Sequence, residues 1–124
     1  MKRCLPILIT VVFLACAQPA FSQDDMKNIA PDAFGTLTRP AATFFHDQHN
    51  EKAGVDDCVT CHHGGANGVL DLGSSSEGTP CADCHAVEPE KGATSLNSAY
   101  HKQCLGCHTT KGKGPLACGQ CHIR

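Results

Sequence analysis

The sequence predicts a small, mostly irregular fold, with a few short α-helices and a two-stranded β element wrapped around a core that ordinary side chains do not supply. Three observations lead there. The chain has 124 residues, enough for one domain, yet only five Phe, one Tyr and no Trp. It has 12 Gly and 7 Pro, and Gly64 to Pro80 reads as a turn-rich loop. It also has ten Cys, eight of which fall into one repeated five-residue pattern. A chain of this size buries a modest share of its surface and leans on a staple or a cofactor.

The first segment is not part of that fold. Lys2 and Arg3 precede an almost unbroken apolar run from Leu5 to Ala15, and Ala20-Phe21-Ser22 places small residues where a signal peptidase reads. The run is too short to span a bilayer comfortably. Residues 1–22 are therefore expected to be a signal peptide, leaving 23–124 as the domain and a periplasmic location. Phe13-Leu14-Ala15-Cys16 loosely resembles a lipoprotein box, so a lipid anchor on Cys16 is the less favoured alternative.

Gln23 to Gly35 is polar and reads as loosely held, and Phe34 to Thr38 is expected to pair as a short strand. His46 and His49 are three apart and share one face if helical. The eight cysteines after the export segment then appear as Cys58-Val-Thr-Cys61-His62, Cys81-Ala-Asp-Cys84-His85, Cys104-Leu-Gly-Cys107-His108 and Cys118-Gly-Gln-Cys121-His122.

Cys-x-x-Cys-His is the attachment site of haem c. Two thiols one turn apart add to the two vinyl groups of one haem, and the next residue sets an imidazole under the iron. Cys-x-x-Cys pairs alone also serve zinc sites, redox dithiols and disulfides. None of these needs His after every second Cys. With 8 His in 124 residues, four such coincidences have a chance probability on the order of one in 10⁵. The motifs begin at 58, 81 and 104, a constant step of 23, and the fourth follows 14 later. The short Gly-rich connections argue against a solenoid. Short helices are expected at the motifs and one longer helix approaching His101.

Four haems have eight axial positions. The motifs offer His62, His85, His108 and His122, and the chain holds four more histidines, His46, His49, His63 and His101. The count closes without methionine. His63 follows His62 directly, so it cannot easily reach the far side of the same iron and should serve a neighbouring haem. His46 and His49, on one face, suit two different irons. Both features predict a compact cluster. Two His on every iron close each site and lack the Met that raises potential, so electron transfer at low potential is expected rather than catalysis. The alternative is a small multihaem reductase of a metal ion or an inorganic oxyanion, which needs one displaceable ligand.

The run Phe44-Phe45-His46-Asp47-Gln48-His49, followed by Cys58-Val-Thr-Cys61-His62-His63, resembles the class III cytochromes c, the tetrahaem cytochrome c3 family of sulfate-reducing bacteria. Tyr100-His101 is similar to that family's remaining distal ligand. The resemblance covers roughly Ala41 to His122. It implies that His46 pairs with His62, His63 with His85, His49 with His108 and His101 with His122. It also implies partners: a hydrogenase or other cytochrome, and a membrane redox complex. Two departures stand out. All four motifs have two residues between the cysteines, where two of the best-known members' motifs have four, and the chain is not basic. Both are similar to the acidic type II branch.

Charge is divided along the chain. From Gln23 to Glu90 three basic residues face all twelve acids, a net −9, while Lys91, Lys102, Lys111, Lys113 and Arg124 face no acid, a net +5. Cations around an exposed haem edge make a docking surface for an acidic redox partner. Lys102, Lys111, Lys113 and Arg124 are the expected docking residues. A monomer is expected, with no nucleic-acid partner.

Overall fold

The structure is a computed structural model and describes residues 26–66 and 68–124. The expected signal peptide, with Cys16, lies outside the described residues, as do Gln23 to Asp25. Two small antiparallel sheets, three α-helices and single 3-10 turns account for the regular structure among the described residues, and the rest is irregular.

Strand β1 (Asn28–Ile29) pairs with β2 (Ala42–Thr43), and Phe44 N–H donates to Lys27 O at 2.9 Å just beyond them. The strand expected at Phe34 to Thr38 is absent. Pro31, at φ −65, leads into a 3-10 turn over Asp32–Phe34, with Phe34 N–H bonded to Pro31 O and Gly35 N–H to Asp32 O. Proline's fixed φ favours that turn. The turn releases Phe34 from the sheet and lets its ring reach Tyr100, centroid to centroid 6.5 Å. Asn28–Ile29, within the stretch read as loosely held, is the segment that pairs.

The second departure is the expected loop from Gly64 to Pro80. Residues His63–Ala66 (β3) and Val69–Ser75 (β4) form a hairpin with a bulge between His63 and Gly64. The small residues that signal a turn also let two backbones approach closely. A Cβ on Gly64 would run into the Ser74 side chain, and one on Gly65 would sit 2.7 Å from Val69 O. Asp71 ties the strand's end by accepting from Gly73 N–H and Ser74 Oγ. Those two donors hold its carboxyl below the usual range.

The motifs share one local geometry. In three of them the His N–H donates back to the carbonyl of the first Cys: His62 to Cys58 at 2.8 Å, His85 to Cys81 at 2.8 Å and His122 to Cys118 at 2.9 Å. That single turn brings both thiols and the imidazole to one side. It is a 3-10 turn at Cys58–Thr60, N-capped by Asp57, and again at Cys81–Asp83 after Pro80. At Cys118–Cys121 it is the short helix α3, whose entry is held by Gln120 Oε1 accepting from Leu116 and Ala117 N–H. The third motif lies inside α2 (Leu96–Lys111), which Ser95 caps and Gly112 ends in the left-handed region. Helix α1 (His46–Ala53) likewise ends on left-handed Gly54.

Side-chain packing contributes little. Leu96 is the only buried hydrophobic residue among the described residues, while Val69, Leu70, Leu72, Leu116 and Ile123 are more than half exposed. Long-range hydrogen bonds hold the frame instead. Leu96 N–H donates to Ala86 O at 2.8 Å, tying the second motif to α2, and Gln103 Nε2 donates to Thr60 O at 2.6 Å, tying the first.

Candidate cofactor site

The eight histidines meet in four pairs. Ring centroids are 6.5 Å apart for His46 and His62, 6.0 Å for His63 and His85, 6.2 Å for His49 and His108, and 6.3 Å for His101 and His122. Each pair joins a motif histidine to a non-motif one, and every pair brings together distant parts of the chain. These are the same four pairs that the family resemblance implies.

Local geometry explains the sorting. His63 opens β3, while His62 directly precedes it in the bend that closes the first motif's turn, so the chain changes from turn to strand between the two rings. One therefore meets His46 and the other His85. On α1, His46 and His49 share a face, and the Phe44 ring braces both at 6.1 Å and 4.9 Å. On α2, His101 and His108 are seven residues apart, two turns, and meet His122 and His49.

Most Nδ1 atoms are committed to the protein. His63 bonds Gly64 O, His85 bonds Thr94 O, His101 bonds Asn97 O, His108 bonds Pro115 O and His122 bonds Pro40 O, at 2.7–3.1 Å. An Nδ1–H so used leaves the Nε2 lone pair for a metal. Gly114, at φ +91, lies against the His108 ring, 2.7 Å from its Nε2 to an added Cβ, so any larger residue there would push the ring aside. These partners were not legible in the sequence, because backbone carbonyls carry no residue signature.

None of the eight cysteines pairs with another in a disulfide; Cys58, Cys61, Cys81, Cys84 and Cys118 are exposed, while Cys104, Cys107 and Cys121 are half-buried. The exposed Cys58 thiol donates a hydrogen bond to the Glu77 carboxylate, and that bond, then the Glu77 charge, push it up. Burial, then the neighbouring Cys107, does so for Cys61, and burial, then Cys61, for Cys104. Burial, then Cys81, pushes the Tyr100 hydroxyl up as well.

The donor set fits haem c. Two imidazole nitrogens about 2.0–2.1 Å from one ion put their ring centres about 6 Å apart, the separation found in each pair. Among the described residues no three His, Cys, Asp or Glu converge as a bare ion's cage requires. Two axial imidazoles need four equatorial donors from elsewhere, and a porphyrin brings four. Each Cys-x-x-Cys directly precedes, along the chain, the motif histidine of one pair.

Fold and site together define a multihaem c-type cytochrome: a mostly irregular chain with its histidines and thiols arrayed for covalent haem. The chain belongs to the class III cytochrome c family, whose family model matches residues 22–122. It is similar to a cytochrome c3 of Desulfovibrio desulfuricans, 36% identical over 108 residues, covering 79% of this chain and 92% of that protein. It is also similar to a high-molecular-weight cytochrome c of Nitratidesulfovibrio vulgaris, 33% identical over 84% of this chain but 19% of that protein. A cytochrome c7 of Geobacter metallireducens is 43% identical over 42 residues, 34% of this chain and 47% of that protein. The chain is thus a haem c electron-transfer protein.

Proposed function

We propose that the chain is a periplasmic electron carrier with four low-potential haem c groups. Cys58 and Cys61, Cys81 and Cys84, Cys104 and Cys107, and Cys118 and Cys121 hold them covalently. His62 with His46, His85 with His63, His108 with His49, and His122 with His101 fill the axial positions. The observation that carries this reading is the set of four ring pairs, each 6.0–6.5 Å across. When bound, haem c supplies a one-electron Fe(III)/Fe(II) couple. The paired histidines would hold each iron, and the Nδ1 hydrogen bonds of His63, His85, His101, His108 and His122 fix those five rings in one tautomer, which would limit rearrangement as the charge changes.

Intact mass and an ultraviolet–visible spectrum test it. Four haem additions and a low-spin spectrum in both oxidation states are expected, and carbon monoxide should leave the reduced spectrum nearly unchanged. A stoichiometric CO complex would instead favour a reductase acting on a metal ion or oxyanion.

The donor is a hydrogenase or another cytochrome, and the acceptor a membrane redox complex. Lys102, Lys111, Lys113 and Arg124 are all exposed, on or just beyond the elements that carry the third and fourth motifs. Their charge suits an acidic partner, whose approach salt would screen. Reversing Lys102, Lys111 and Lys113 should slow reduction by that partner about tenfold or more at low ionic strength. At high salt it should do far less. Reversal of Glu51, Asp56 and Asp57, near the first motif, is the control. A larger slowing from the control would move the docking face to the acidic side.

A further inference from the structure

Helix α1 sends two histidines to different partners, and their Nδ1 atoms have opposite surroundings. His46 Nδ1 lies 2.8 Å from Asp47 Oδ1. His49 Nδ1 is buried without a hydrogen-bond partner. The other imidazole Nδ1 bonds end on the neutral carbonyls of Gly64, Thr94, Asn97, Pro115 and Pro40. Among the described residues, Asp47 is therefore the one carboxylate bonded to an imidazole.

The tautomer follows. With Nδ1–H donating to the carboxylate, Nε2 carries the lone pair. An anionic acceptor draws the Nδ1 proton further than a carbonyl does and makes the ring a stronger base. A more basic axial imidazole favours Fe(III) over Fe(II) and lowers the potential.

We propose that Asp47 is a positioning residue that depresses the reduction potential of one iron, the one between His46 and His62, more than any of the other three. The proposal rests on the axial assignment above. The Asp47 side chain is 46% exposed, so solvent damps its influence and a moderate effect follows. Asp47 also stands in the first turn of α1, where its charge favours the helix. The test therefore has to separate a tuned potential from a loosened helix.

The holoprotein serves, with Asp47→Asn, Asp47→Leu and, as a control on the same helix, Glu51→Gln. Individual potentials are read by NMR redox titration, each haem assigned through its thioether contacts. Asparagine keeps an oxygen acceptor without the charge. It should shift the equilibrium of the haem on Cys58 and Cys61 toward Fe(II) by up to tenfold, equivalent to 59 mV for one electron. Leucine should shift it further, and the other three haems should move less than half as far. Glu51→Gln should move that haem less than Asp47→Asn does, and circular dichroism should show the helix retained. An unchanged potential at that haem, or equal shifts at all four, overturns the proposal. Paramagnetically shifted His46 ring signals in the unaltered protein report the ligand itself. Their absence removes the axial assignment and the proposal with it. Their presence with an unmoved potential in Asp47→Asn removes the proposal alone.

Discussion

Replacing His63 with methionine is expected to change the haem on Cys81 and Cys84 and to leave the one on Cys58 and Cys61, its nearer neighbour in sequence, almost untouched. The motive is geometric. His63 stands next to His62, yet its ring lies 6.0 Å from His85, while His62 faces His46 at 6.5 Å. The bulge between His63 and Gly64, and the bond from His63 Nδ1 to Gly64 O, hold that direction. Exchange of an imidazole for a thioether raises an iron's potential. A rise of roughly 0.1–0.2 V in one couple is expected, a fraction of the ~0.8 V that axial ligation commands. Redox titration gives the size and NMR assigns the haem. Finding the altered ligand on the haem of the first motif would refute the bridging role of the His62-His63 step.

Chain made without cytochrome c maturation is expected not to fold. One fully buried Leu contributes about 1.5–3 kcal/mol, and ordering each residue costs about 1–2 kcal/mol. Leu96 is the only buried hydrophobic residue among the described residues, so side-chain burial cannot hold the backbone in place. The frame depends on what the paired histidines and the thiols grip, as a zinc finger depends on its metal. Rapid proteolysis and narrow amide dispersion in the haem-free chain are the expected observations. A compact, protease-resistant haem-free protein with dispersed resonances would show that the hairpin, the caps and the bonds of Gln103 and Leu96 suffice.

The motifs were legible because covalent chemistry demands contiguous residues: Cys58 to His62 and its three counterparts are read in one glance along the chain. A longer helix approaching His101 was expected, and it runs on through the third motif to Lys111; for His46 and His49 the spacing gave only a shared face on condition of a helix, which the structure supplies. The four histidine pairs were legible only through the family resemblance, since they join residues up to 59 positions apart (His49 and His108). Strand positions were not legible. Sheets this short follow where the chain is turned back, here by the Asp32–Phe34 turn and Gly35, rather than β propensity. The β3–β4 hairpin was hidden for a related reason, because glycine and serine mark both loops and closely approaching strands.

By itself, then, the sequence determined the cofactor chemistry, the number of attachment motifs and the supply of imidazoles. Each of these is a matter of which groups are present and how near they lie along the chain. Tertiary structure decided what each imidazole faces. Pro40 O reaches His122 from 82 residues away, Gln103 joins α2 to the first motif, and Gly114 yields room for the His108 ring. Hydrogen bonds and close approaches of this kind are made through backbone atoms common to all residues, so only the folded path of the chain selects them.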